Sequence, residues 1–161
     1  MNQFSIDYCP AQSAKWLVDR HMKMLLESCQ MFCTNFHLQG IDAPYQQTHP
    51  KHPTTIWLRT SYDNFLWGLE HAYAIASEYT ARYHKRHKSE DVLDWVESNS
   101  WRLGFDSEAQ TPFALAIAED AICRTLPEWN DVDEVGKYRL FYKHDKAHLH
   151  AWKRNKPEWI E

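Results

Sequence analysis

Arg20, Lys23, Glu27 and Gln30 recur at intervals of three and four residues, so on a continuous helix they share one side of the cylinder. A carboxylate held among cations in this way can stabilise positive charge as it develops on a reacting group, with Glu27 as the acid and His21 and Lys23 as the adjacent imidazole and amine. A second periodic stripe, Asn64, Trp67, His71, Glu78, Arg82 and Lys85, is its natural counterpart. The expectation is that Arg20, Lys23 and Glu27 face His71, Glu78 and Arg82 across a helix pair. The alternative for Glu27 is an ordinary ion pair with Lys23 one turn away.

Two further segments surround these stripes. HPKHPTTIW, His49 to Trp57, puts two histidines directly before prolines, which fixes both imidazoles on stiff, extended backbone; His52 and Trp57 are its candidate ligand-contacting residues. RYHKRHK, Arg82 to Lys88, and the tail YKHDKAHLHAWKRNKPEW, Tyr142 to Trp159, alternate rings with cations. Cations meet phosphates and flat rings stack on exposed bases, so Lys85, Arg86, His87, Lys143, Trp152, Lys153 and Arg154 are candidate nucleic-acid or nucleotide contacts. A docked C-terminal helix with Tyr138, Tyr142 and Trp152 as core is the equal alternative for the tail.

Other chemistries lack their signatures. HExxH is missing, as are paired ExxH motifs on facing helices, GxSxG and any glycine-rich phosphate loop, so neither a catalytic metal nor a cofactor is expected despite ten histidines. Cys29 and Cys33 lie one helical turn apart, where buried thiols are common, and no disulfide framework is expected.

The elements that must hold these groups are helical. Four glycines in 161 residues are few for a β-rich chain, and 43% apolar residues suffice for one core, so the fold expected is all-α: a single-domain bundle of about five helices spanning 1–161. The helices expected are Pro10 to about Phe36, Ser61 (or Thr60) to about Lys85, Ser89 to Val96, Thr111 to about Cys123, and Asp131 to Trp152, with a Pro/His-rich loop from Gly40 to Thr55 after the first. Charge is polarised. From Lys137 onward there are seven basic residues against three acidic, whereas 101–136 holds two against eight, within a net charge of −4. No apolar run reaches the roughly 20 residues of a membrane span and MNQFSIDYCP does not read as a secretion signal, so no membrane partner and a cytoplasmic location are expected, the host cytoplasm if the chain is phage-encoded.

The order Leu17-x-Asp19-Arg20-His21, Glu27, His52-Pro53, Trp57, His71, Glu78, Arg82 and His87 resembles the landmarks of the pyrimidine dimer DNA glycosylase (endonuclease V) family, over roughly Leu17 to Leu93. The chain also resembles small phage proteins. The glycosylase resemblance implies an all-helical enzyme that cleaves the glycosidic bond of a damaged or modified pyrimidine, through an amine nucleophile and a first-helix carboxylate, here Glu27. That family attacks with a chain-terminal amine exposed by removal of the initiator methionine, whereas here bulky Asn2 and an added stretch precede the first helix. The lyase step is accordingly not expected, and Lys23 is the alternative amine. A non-enzymatic accessory protein, binding nucleic acid or protein through its aromatic-basic C-terminus, is the reading from another class.

Overall fold

His52 and Ser61 each end an extended stretch with a side chain that accepts a hydrogen bond from the next helix. His52 Nδ1 takes the Thr54 N–H at 3.2 Å and Ser61 Oγ the Asn64 N–H at 3.1 Å. The computed structural model describes residues 1–161 and contains six α-helices and no strand. They are α1 (Pro10–Lys15), α2 (Leu25–Leu38), α3 (Pro53–Thr60), α4 (Tyr62–Tyr83), α5 (Glu90–Asn99) and α6 (Glu134–His144). Helix α4 is the axis: α1, α2, α3 and α5 all pack on it, and α2 also meets α3 and α5. Pro53 occupies the first turn of α3, where its missing N–H costs nothing. The free N–H groups of Tyr62 and Asp63 donate to the Ser107 and Glu108 carbonyls, and α4 ends where His84 turns left-handed at φ 55°.

One hydrophobic cluster runs from Phe4 through Leu17, Leu25, Phe32, Phe36, Leu58, Phe65 and Ile75 to Tyr138 and Tyr142. Burying each large side chain stabilises the fold by about 1.5–3 kcal/mol. Gly68 is where the N-terminal segment and α3 close on α4: a Cβ there would collide with Leu58 Cδ2 and stand 3.1 Å from Gln3 Nε2. No helix is long and apolar enough to cross a membrane.

Three segments depart from the helices expected. The first breaks into α1, a 3-10 stretch at Asp19–Met24, and α2. At the break Val18 is extended, and side chains from elsewhere take the backbone groups it frees. Arg82 donates to the Lys15 and Leu17 carbonyls at 2.9 and 2.8 Å, Trp152 Nε1 to the Trp16 carbonyl, and the Val18 N–H donates to the Tyr142 hydroxyl. The segment 111–121 is not helical, for the same kind of reason. Trp57 Nε1 donates to the Pro112 carbonyl, the Asn64 side chain pairs with Thr111, and Tyr138 accepts from the Ala116 N–H while donating to the Ala114 carbonyl. The last helix stops at His144, and the Pro/His loop ends three residues early because α3 begins at Pro53.

Candidate active site

The first six residues, which end elements in most chains by fraying, here run through the interior. Asn2, Gln3, Phe4, Ser5 and Ile6 are buried. Asn2 Nδ2 donates to the Ala116 carbonyl, Ser13 Oγ donates to the Phe4 carbonyl and accepts from the Ile6 N–H, and Arg139 Nε donates to the Ile6 carbonyl. Phe4 takes φ +51°, a left-handed conformation that costs a bulky residue of order 1–3 kcal/mol. Its ring is nonetheless locked, stacked on His21 at 4.4 Å and 8°.

This turn delivers the Met1 amino group to α2, where it stands 3.5 Å from Glu27 Oε2. The Met1 side chain is 10% exposed and that of Glu27 35%, and both residues line an opening. Oε2 itself is buried and accepts no well-formed hydrogen bond. The opening is a cleft of about 440 Å³ lined by Met1, Asn2, Phe4, Arg20, His21, Lys23, Met24, Leu26 and Glu27.

His52 holds the other side of Met1. Burial chiefly, then the positive amine and His49, push its imidazole below the ordinary histidine range, with a hydrogen bond to the Met1 backbone and the Glu27 charge opposing. Because Nδ1 accepts from Thr54, the proton of the neutral ring lies on Nε2. The stiff HPKHP backbone thus serves two ends: it starts α3 and it fixes the first residue of the chain.

His21 is the second ordered imidazole. Burial, then Lys146 and Arg20, push its pKa down to about 4, so it is neutral at physiological pH. Its Nδ1 lies 2.8 Å from the Tyr142 hydroxyl, which already accepts from the Val18 N–H and has its own proton to place. Tyr142 therefore donates to Nδ1, and His21 keeps an Nε2–H donor on a ring that lines the cleft.

A second cleft, of about 460 Å³, continues past Lys23 and Leu26, which wall both. Its other sides are Tyr45, Tyr79, Lys85, Arg86, His87, Lys88 and Ser89. The structure thus brings Glu27, His21, Lys23 and Arg20 together around one cleft, with His52 outside its lining and against Met1, and places Lys85 and His87 around the next. Arg86 is there too, but it is bound to Glu90, Asp91 and Asp94 of α5.

The stripe on α4 does not face Glu27. Asn64, Trp67, His71, Glu78 and Arg82 are all buried, forming part of the core face of the helix. Glu78 and Arg82 bind each other at 2.9 Å, and Arg82 also binds Asp19 at 2.9 Å. His71 stacks on Trp67 with neither ring nitrogen bonded, and complete burial pushes its pKa down to about 3. Trp57 is buried between Trp67 and Phe113, its indole N–H spent on the Thr111 and Pro112 carbonyls, so its ring has no face for a base. The tail is docked: Trp152 bonds Trp16, the Lys153 ammonium sits over the Tyr83 ring, and Arg154 and Asn155 reach Glu78. Lys143 lies exposed on α6.

Met1, Asn2, Phe4, Met24, Leu26, Tyr45, Tyr79, Lys88 and Ser89 are the lining residues that sequence reasoning did not single out as contacts. Only the apolar exposed Leu26, set in a polar stripe, carried a local signal. No group of three or more His, Cys, Asp or Glu side chains converges as a metal site would. Comparison of the chain with known protein families, with curated proteins and with solved structures gives no match.

Proposed function

We propose that the cleft around Glu27 cleaves the glycosidic bond of a damaged or modified pyrimidine, the activity implied by the resemblance to pyrimidine dimer DNA glycosylases. The observation that carries this reading is the approach of the Met1 amine to Glu27 Oε2 at 3.5 Å, beside an open cleft. An amine and a carboxylate at this spacing suit attack at the anomeric carbon of a sugar. The added stretch before α1, which on the sequence argued against a terminal nucleophile, folds back and brings the amine to the acid.

The chemistry closes without a cofactor. The bond from C1′ to the base breaks with its electron pair leaving on the base, which takes up a proton, and Glu27 faces the positive charge that builds on the sugar. The amine, after losing its ammonium proton to solvent, bonds through nitrogen to C1′ and then gives up a second proton; ring opening, with O4′ protonated, leaves an imine. Water then hydrolyses the imine and restores the amine. His21, neutral with Nε2–H as donor, is suited to hydrogen-bond the departing base or the sugar oxygen. His52, which caps α3 and stands against Met1, is a positioning residue.

The non-enzymatic reading leaned on the aromatic-basic tail, whose Trp152 and Arg154 are instead occupied within the molecule. The test is base release from oligonucleotides and nucleotides carrying a thymine dimer, uracil or a modified pyrimidine, with Glu27→Gln alongside. Release that falls at least about a hundredfold in the variant fits loss of transition-state charge stabilisation. Equal release in both proteins, or none from any substrate, removes the assignment.

A further inference from the structure

We infer that the cleft beyond Lys23 is a phosphate site, and that the substrate is a single pyrimidine nucleotide rather than duplex DNA. This rests on the proposed glycosidic chemistry and names what that chemistry acts on.

Three ammonium groups border this cleft, those of Lys23, Lys85 and Lys88; all three residues are exposed and none is in an ion pair. Arg86, one residue from Lys85, shows the contrast: three α5 carboxylates already surround it. Unpaired cations drawn to one concavity are what a compact anion needs.

The remaining walls are ordered and donate without adding charge. His87 Nδ1 accepts the Ser89 N–H at 3.0 Å, so Nε2 carries the proton, and burial chiefly, then Lys85, pushes the imidazole below its usual range. Its ring meets Tyr79 edge-on at 4.7 Å, and the Tyr45 hydroxyl is tied to Ser89 Oγ at 3.0 Å. Leu26, Tyr45 and Tyr79 supply apolar surface for a flat ring beside the cations.

Lys23 and Leu26 belong to this cleft and to the Glu27 cleft alike, so a phosphate held by the lysines stands next to the carboxylate–amine pair. A nucleoside monophosphate presents a phosphate and an anomeric carbon at just such close quarters, within one molecule. Duplex DNA needs cations strung along several phosphates, whereas Arg82 and Arg154, which the sequence offered for that task, are bound to Glu78. The eight acidic residues between 101 and 136 oppose a long polyanion further.

Calorimetric titration of the full chain with thymidine 5′-monophosphate, thymidine and a short duplex tests this, using the wild type and the double variant Lys85→Ala/Lys88→Ala, with thermal melting to verify folding. The monophosphate is expected to bind at least about tenfold tighter than thymidine and to lose about tenfold or more in the double variant. Monophosphate binding no tighter than thymidine, or unchanged in a folded double variant, overturns the inference. Duplex binding with a steep salt dependence and no monophosphate binding also overturns it, while leaving the glycosidic reading to the base-release assay. Conversely, tight monophosphate binding without base release retains the phosphate site and removes the chemistry.

Discussion

Replacing Arg82 with alanine probes the support on which the site is built. Its side chain is fully buried and its guanidinium makes four contacts: Glu78 and Asp19 at 2.9 Å, and the Leu17 and Lys15 carbonyls at 2.8 and 2.9 Å. Removing it strands the buried Glu78 carboxylate and uncaps two carbonyls at the break between α1 and the 3-10 stretch that carries Arg20, His21 and Lys23. Losing one partner of a buried pair costs about 3–5 kcal/mol. Arg154 and Asn155 also reach Glu78, which places the expectation near the lower end, about 3 kcal/mol. For a chain of this size that corresponds to a fall in Tm of about 6–12 °C. Arg82→Lys retains one charge but not the planar fork and should recover only part of it. Urea unfolding followed by circular dichroism gives the free energy directly. An alanine variant within about 1 kcal/mol of wild type would show that the break in the first helix is not held by this residue.

Other consequences are independent of that one. His21 and His71 titrate at about 4 and about 3 in the folded chain and near the ordinary 6.5 when unfolded, so below that value the unfolded state binds more protons. Stability held above pH 6.5 is therefore lost as pH falls toward 4, with a slope of about 1.4 kcal/mol per pH unit from each histidine; urea midpoints across that range should show it, and His71→Leu should remove its share. His52→Ala should cost about 1 kcal/mol through the lost α3 cap and also free Met1; His52→Asn should restore the cap and the stability but not base release. Recovery of both by asparagine would show that His52 acts on α3 alone.

How much of this was legible in the sequence follows from the range of the interactions that decide it. Helix α4 could be placed from Ser61 and its apolar period, and α5 from Ser89, because caps and periodicity act within a few residues. The segment 111–121 has a good helix composition and a proline at its start, but Trp57, Asn64 and Tyr138 supply its backbone with partners no local pattern reveals. The same holds for the break at Val18, written in Arg82, Tyr142 and Trp152. On α4, the polar stripe read as a site lies in the core because Glu78 and Arg82 neutralise each other and His71 stays uncharged. Glu27, His21 and Lys23 were found by spacing although the helix between them changes type, since a 3-10 turn still keeps neighbours three apart on one side. The approach of Met1 to Glu27 depends on the turn at Phe4 and had no counterpart in any periodicity.

The amine beside Glu27 is the proposed nucleophile, and reductive trapping addresses it directly. The intact chain is incubated with a cleavable pyrimidine substrate and borohydride, its first residue is established by mass spectrometry, and the adduct is mapped by peptide. A sugar adduct on the Met1 amino group, much reduced in Glu27→Gln, is expected. Base release with no trapped adduct, or an adduct on Lys23 instead, would contradict it.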